Sequence, residues 1–222
     1  MQNSPYKKTL FWTFLFGIAF GYLEAAVVIY LRQIFYPEGF YFPVKIITGK
    51  LITVELIREF ATLLMIFSVC VLAGKTKIER FAYFMYIFGT WDIFYYVFLK
   101  IFLNWPSSLL EYDLLFLLPV AWVGPVLAPV IISLLLIAAA IFIIYFENNN
   151  FVFYQTKGLW FLEILGGFIV FISFILSAKD VAEQKFPQHF YWWLFFAGVL
   201  IGVLPFIYAV IKTLLLLLMD YF

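Results

Sequence analysis

The chain predicts an all-α integral membrane protein of about six transmembrane helices, with a Pro-broken or re-entrant segment before the fourth span. Three observations predict it. Of 222 residues, 66% are apolar and 12% charged, against roughly one quarter charged in soluble domains, and mean hydropathy is +1.05. The apolar residues gather into runs of the about 20 residues that a helix needs to cross the hydrocarbon core. Pro119, Pro125 and Pro129 interrupt a long apolar stretch that holds no charged loop, where each proline removes a backbone donor and crowds the preceding turn.

Lys7 and Lys8 precede the first run, Thr9 to Leu31. It is too long for a signal-peptide core and lacks a small-x-small cleavage site, so it reads as a retained span. The following spans are Ile52–Ala73, Phe81–Leu103, the broken stretch Leu109–Phe146, Gly158–Ser177 and Phe190–Thr213. Six spans use roughly 120 to 135 residues, which leaves the chain as a single polytopic domain over 1–222. Between spans one and two, Gln33 to Lys50 carries Pro37, Gly39, Pro43 and Gly49 among aromatic residues, a composition suited to a loop in the outer headgroup region. Ser108 and Glu111 have capping-box spacing, so a short outer helix is expected to start there. The stretch then continues as a kinked fourth span, or else forms two complete spans turning near Gly124, which would make seven passes. Trp12, Trp105, Trp160, Trp192 and Trp193 fall at span ends, where indole rings settle at headgroup level.

Orientation follows from the basic residues. Lys75, Lys77 and Arg80 crowd the shortest connection, on the side that also holds Lys7, Lys8, Lys157 and Lys212. Six passes with this bias place both termini on the cytoplasmic face of a cell membrane. Arg32, Lys45, Lys50, Lys100, Lys179 and Lys185 lie opposite, and net charge is only +1 with no basic patch for nucleic acid.

A charged group near the bilayer centre costs about 2.5 to 3.5 kcal/mol on insertion scales, so such groups face protein or water and have partners. Glu24 lies seven positions before the end of span one and Glu59 seven after the start of span two, so both fall about 10 Å below the same surface. Glu55, Arg58, Glu59 and Thr62 share one helix face, with Arg58 in reach of Glu55. Asp92 stands near the middle of span three, with Tyr95 and Tyr96 a turn above and Gly89 a turn below. Gly17 and Gly21 form a small-xxx-small pair that lets another helix approach, as do Gly198 and Gly202 in span six.

The candidate site is therefore Glu24, Glu55, Arg58, Glu59, Asp92 and Tyr95, a carboxylate-lined cavity open to the outside, floored by Asp92 and roofed by the segment after Trp105. Oxygen ligation of a hard cation by Glu24, Glu59 and Asp92 is compatible with these residue types, as is a proton relay. Arg32, Lys100, Glu111 and Asp113 read as boundary charges, a reading that also competes for Glu55, and Glu163 as an interfacial or packing residue. One histidine and one cysteine exclude His-rich metal centres, a Cys–His couple and an internal disulfide. No phosphate-cradling or dinucleotide motif is present, and no cofactor is called for. The reading is a carrier, or a solute-binding permease subunit, for a small solute or cation with proton coupling. Two alternatives remain: an accessory subunit of a larger membrane complex, and a membrane-embedded enzyme acting on a lipid or its headgroup. Expected partners are the bilayer and other membrane subunits or a second copy of the chain.

Overall fold

The computed structural model describes residues 5–40, 49–149, 151, 153–183, 185 and 189–219. Six helices account for nearly all of them: α1 (Pro5–Phe35), α2 (Lys50–Ala73), α3 (Lys77–Leu103), α4 (Leu127–Asn148), α5 (Lys157–Ala182) and α6 (Trp192–Met219). All six are long and apolar enough to cross a membrane. They alternate in direction, so one end of the molecule holds the start of α1 and the end of α6, and the other holds the connection between α3 and α4. The second is called the hairpin end below.

The short helix expected after Trp105 does not form. Glu111 Oε2 reaches back to the backbone N–H of Ser107, one residue before the N-cap position a capping box requires, and Ser108 Oγ accepts from Leu110 N. These bonds close a turn. The chain then enters β1 (Tyr112–Phe116), which pairs antiparallel with β2 (Trp122–Pro125) in the register Asp113 opposite Gly124 and Leu114 opposite Val123. A two-stranded hairpin accommodates Pro119 in its turn and Pro125 at the end of an edge strand, positions where no ladder donor is lost. Its base is tied to α4 by Val126 N–H donating to Glu111 O and Leu127 N–H to Leu109 O. Pro129 falls in the first turn of α4, where its missing donor would have had no intrahelical partner. The break therefore precedes the fourth helix, and the turn near Gly124 joins no pair of spans.

Helix α3 lies at the centre of the first four helices, buried on most faces from Ala82 to Leu99. Small residues decide how near its neighbours come. A Cβ on Gly17 of α1 would meet the Thr90 side chain at 2.9 Å, one on Gly21 would meet Trp91 O at 2.8 Å, and one on Gly89 would meet Ser133 O of α4 at 2.6 Å. Helices α5 and α6 form a separate pair on the same device, since a Cβ on Gly198 would meet Gly166 O at 2.8 Å. The pair joins the rest through Val170, Phe174, Phe190 and Phe195, packed on Ala128 of α4 and Trp122 of β2. At the opposite end Phe153 stacks on Phe146 and meets Phe206 of α6.

Polar side chains lock that opposite end. Thr76 caps α3 by accepting from Glu79 N at 3.0 Å and donates to Glu147 at 2.7 Å, while Asn148 donates to Glu79. Glu147 and Asn148 thus fasten the end of α4 to the start of α3.

Candidate functional site

Near the hairpin end, α1, α2, α3 and β1 bring together the buried charges of the described residues other than Glu79. Arg58 of α2 is held between two carboxylates: it donates to Glu55 at 2.8 Å and pairs with Glu24 across the gap to α1. Glu59, one residue on, turns the other way. Its oxygens accept the backbone N–H of Leu117 at 2.9 and 3.0 Å and of Leu118 at 3.1 Å. Glu59 thereby supplies the acceptors for the tip of the hairpin, whose N–H groups have no ladder partner there.

Arg32, in the last turn of α1, donates to Asp113 of β1 at 3.0 Å, and both side chains are buried. Its guanidinium lies 3.8 Å from the Trp105 ring centroid and 4.2 Å from that of Phe40, a cation sandwiched by aromatic faces. The boundary reading of Arg32 and Asp113 is thus overturned, and Trp105 faces inward rather than toward a headgroup layer. The connection supplies a carboxylate at the one place where a buried guanidinium at the end of α1 needs it. Burial pushes the Asp113 carboxyl above the ordinary aspartate range, while the Arg32 guanidinium pulls it down.

These groups surround a cavity of about 140 Å³ whose lining includes Glu24, Glu55, Arg58, Glu59, Asp92 and Tyr95. All six residues singled out in the sequence therefore face one space. They do not act as one ligand set. Among the described residues no three His, Cys, Asp or Glu side chains come together at metal-site spacing. Glu24 goes to Arg58, Glu59 to the hairpin, and Asp92 accepts from Ser133 Oγ at 2.8 Å. The roof over the cavity is β1 and the hairpin turn instead of a helix. Residues 41–48 of the loop expected to cover it lie outside the described residues.

A second, larger space was not visible in the sequence. Between α3–α4 and the α5–α6 pair runs a cleft of about 1540 Å³, lined almost wholly by apolar side chains such as Phe88, Leu136, Ala139, Phe171 and Val199. It forms because α5 and α6 close tightly on each other through their glycines and touch α4 mainly toward the two ends. Asp92 and Ser133 interrupt it with polar groups toward the hairpin end, and Thr76, Glu147, Gln155 and Glu163 do so toward the other. Trp91, Asp92, Leu115 and Phe116 line both spaces, so Asp92 stands in the wall between them. Glu163 also lines the cleft, toward its other end, where Gln155 donates to it at 2.7 Å. Ser133 was the residue sequence reasoning missed. Its signal was available, as the one polar side chain in the run from Leu127 to Ile144.

Compared with protein-family models, with curated proteins and with solved structures, the chain matches none of them, so its function is argued from these two spaces alone.

Proposed function

We propose that this chain is a multi-pass membrane protein that takes a lipid or a similar amphiphile from the bilayer into the cleft between α3–α4 and α5–α6. Membrane residence is supported by what the helices present outward: Leu72 is 87% exposed, Ile34 and Trp193 71% each, with Phe11, Phe60, Phe161 and many others alongside. A surface this apolar would associate in water. The lysines at the end holding both termini support a cytoplasmic position for that end. Several of the opposing basic groups are engaged internally: Arg32 and Arg58 in ion pairs, and Lys100 by the carbonyls of Asn104 and Pro106.

The observation that carries the reading is the cleft itself, about 1540 Å³ of apolar space with the Asp92–Ser133 pair on its wall. At membrane depth the solvent at its mouth is lipid, and an apolar chain fits such a lining, while a carboxylate and hydroxyl hold one polar group of the guest. Carriage of a water-borne solute or hard cation, the first reading of the sequence, draws less support. The carboxylates that would serve it are engaged by Arg58 and by hairpin N–H groups.

Gly167 gives the test. It lines the cleft, and a Cβ there meets nothing within 4 Å, so Gly167→Trp narrows the cleft with an indole without touching the α5–α6 contact. Native mass spectrometry of gently extracted protein should show bound lipid retained by the wild type and lost from Gly167→Trp. Equal retention in both, or a partner polypeptide in place of lipid, would overturn the reading; the latter would favour the accessory-subunit alternative. Chemical change of the retained lipid on incubation would favour the enzyme.

A further inference from the structure

The smaller cavity carries unmet hydrogen-bonding groups that the cleft does not explain. Arg32 Nη1, Asp113 Oδ2 and Tyr96 Oη are buried without a hydrogen bond of good geometry, and the Tyr96 and Tyr95 hydroxyls lie near enough to the Asp113 carboxyl to favour its charged form without satisfying it. All three residues line this cavity, and each is more than nine-tenths buried: Arg32 is 7%, Tyr96 6% and Asp113 2% exposed. A buried polar group left unpaired is costly, and three around one void mark a place where something polar belongs.

What belongs there follows from the wall. Five carboxyl groups (Glu24, Glu55, Glu59, Asp92, Asp113) face it against two guanidiniums (Arg32, Arg58), with Tyr36, Phe40, Trp91 and Tyr95 among the aromatic side chains. The excess of acid disfavours an anion, and carboxylates with aromatic faces suit a cation. A bare metal ion is not matched, because no three acidic groups meet at ligand spacing among the described residues, and a metal ion would leave Arg32 Nη1 without an acceptor. At about 140 Å³ the space holds roughly four or five water-sized groups, at about 30 Å³ for each.

We infer that the cavity between α1, α2, α3 and β1 is a binding site for a small alkylammonium group carrying a neighbouring oxygen, an amino alcohol or the headgroup that contains one. The ammonium donates to Asp113 Oδ2 and Tyr96 Oη, and the adjoining oxygen accepts from Arg32 Nη1. Waters fill what remains. The site stands apart from the cleft, from which Trp91, Asp92, Leu115 and Phe116 separate it, so it does not depend on a lipid occupying that cleft.

Ethanolamine is the probe, titrated by calorimetry into the purified full chain in phosphatidylcholine nanodiscs, with ethylene glycol and sodium chloride as uncharged and ionic controls. Saturable binding of ethanolamine, absent with both controls, is expected. Tyr96→Phe should weaken it about tenfold, the loss of one hydrogen bond to a charged group, while Gly167→Trp should leave it unchanged. Repeating the titration in nanodiscs that contain phosphatidylethanolamine separates the sources. Lost binding of the free amine there assigns the site to a lipid headgroup, and retained binding assigns it to a soluble amine. No saturable binding to the wild type, equal binding of ethylene glycol, or an undiminished affinity in Tyr96→Phe overturns the inference. Retained ethanolamine binding in a protein that holds no lipid would refute the cleft reading alone.

Discussion

Replacing Glu59 with alanine removes the acceptor of two main-chain N–H groups at once, those of Leu117 at 2.9 and 3.0 Å and Leu118 at 3.1 Å. Neither has another acceptor in the hairpin, because the register ends at Phe116 and Pro119 follows. Each donor left unpaired in a partly buried setting costs about 1 to 3 kcal/mol. Water entering the adjoining cavity recovers part of this, so a net loss of about 2 to 4 kcal/mol is expected. For a chain of this size that lowers the melting temperature by roughly 5 to 15 °C, read by tryptophan fluorescence in detergent. Glu59→Gln keeps a carbonyl acceptor and gives up only the charge assistance, so its loss should be near 1 kcal/mol. Amide exchange at Leu117 and Leu118 should quicken about thirtyfold or more in Glu59→Ala, since 1.4 kcal/mol is a factor of ten in an opening equilibrium. Unchanged melting together with unchanged exchange at these two amides would refute the claim that Glu59 holds the hairpin.

Two other expectations follow, one from this region and one from the opposite end. Arg58→Ala leaves Glu24 and Glu55 facing each other without a cation and should destabilise by about 3 to 5 kcal/mol, with Arg58→Lys intermediate because a single ammonium cannot reproduce the fork that reaches both carboxylates; equal melting of wild type and Arg58→Ala would contradict this. Cys70 is buried, so single cysteines introduced at Lys8 and at Lys75 can be labelled against a low background; in intact cells a membrane-impermeant maleimide should reach neither until the cells are opened, and labelling of both in intact cells would invert the orientation.

Much of the architecture was legible because hydrophobic run length is a one-dimensional property. Helices α1, α2, α3 and α5 each contain the run that forecast them, with Lys50, Lys77 and Lys157 beginning helices just ahead of their runs, whereas α4 takes up only the part of Leu109–Phe146 from Leu127 onward and α6 begins at Trp192, just inside its run. The glycines were legible for a similar reason: Gly17, Gly21, Gly198 and Gly202 sit four apart, on one helix face, and the structure uses these positions for close approach. The hairpin was not legible. Ser108 and Glu111 offered a helix start, and what favours the hairpin instead is an acceptor 58 residues before its turn, where the Glu59 carboxylate takes the N–H groups of Leu117 and Leu118. Local side-chain signals cannot weigh a distant acceptor.

The sequence by itself determined which residues had to find polar partners, because an acid or a guanidinium within an apolar run is costly wherever it stands. Only the tertiary structure decided the pairings. Arg58 took Glu24 and Glu55, Arg32 took Asp113 from a connection 81 residues on, and Asp92 took Ser133 from the neighbouring helix. The two spaces are likewise tertiary facts. Apolar helices meet where their backbones can come closest, and here Gly166 with Gly198 draws α5 to α6 while Gly89 with Ser133 draws α3 to α4. The cleft is the room left between two pairs that each closed on themselves.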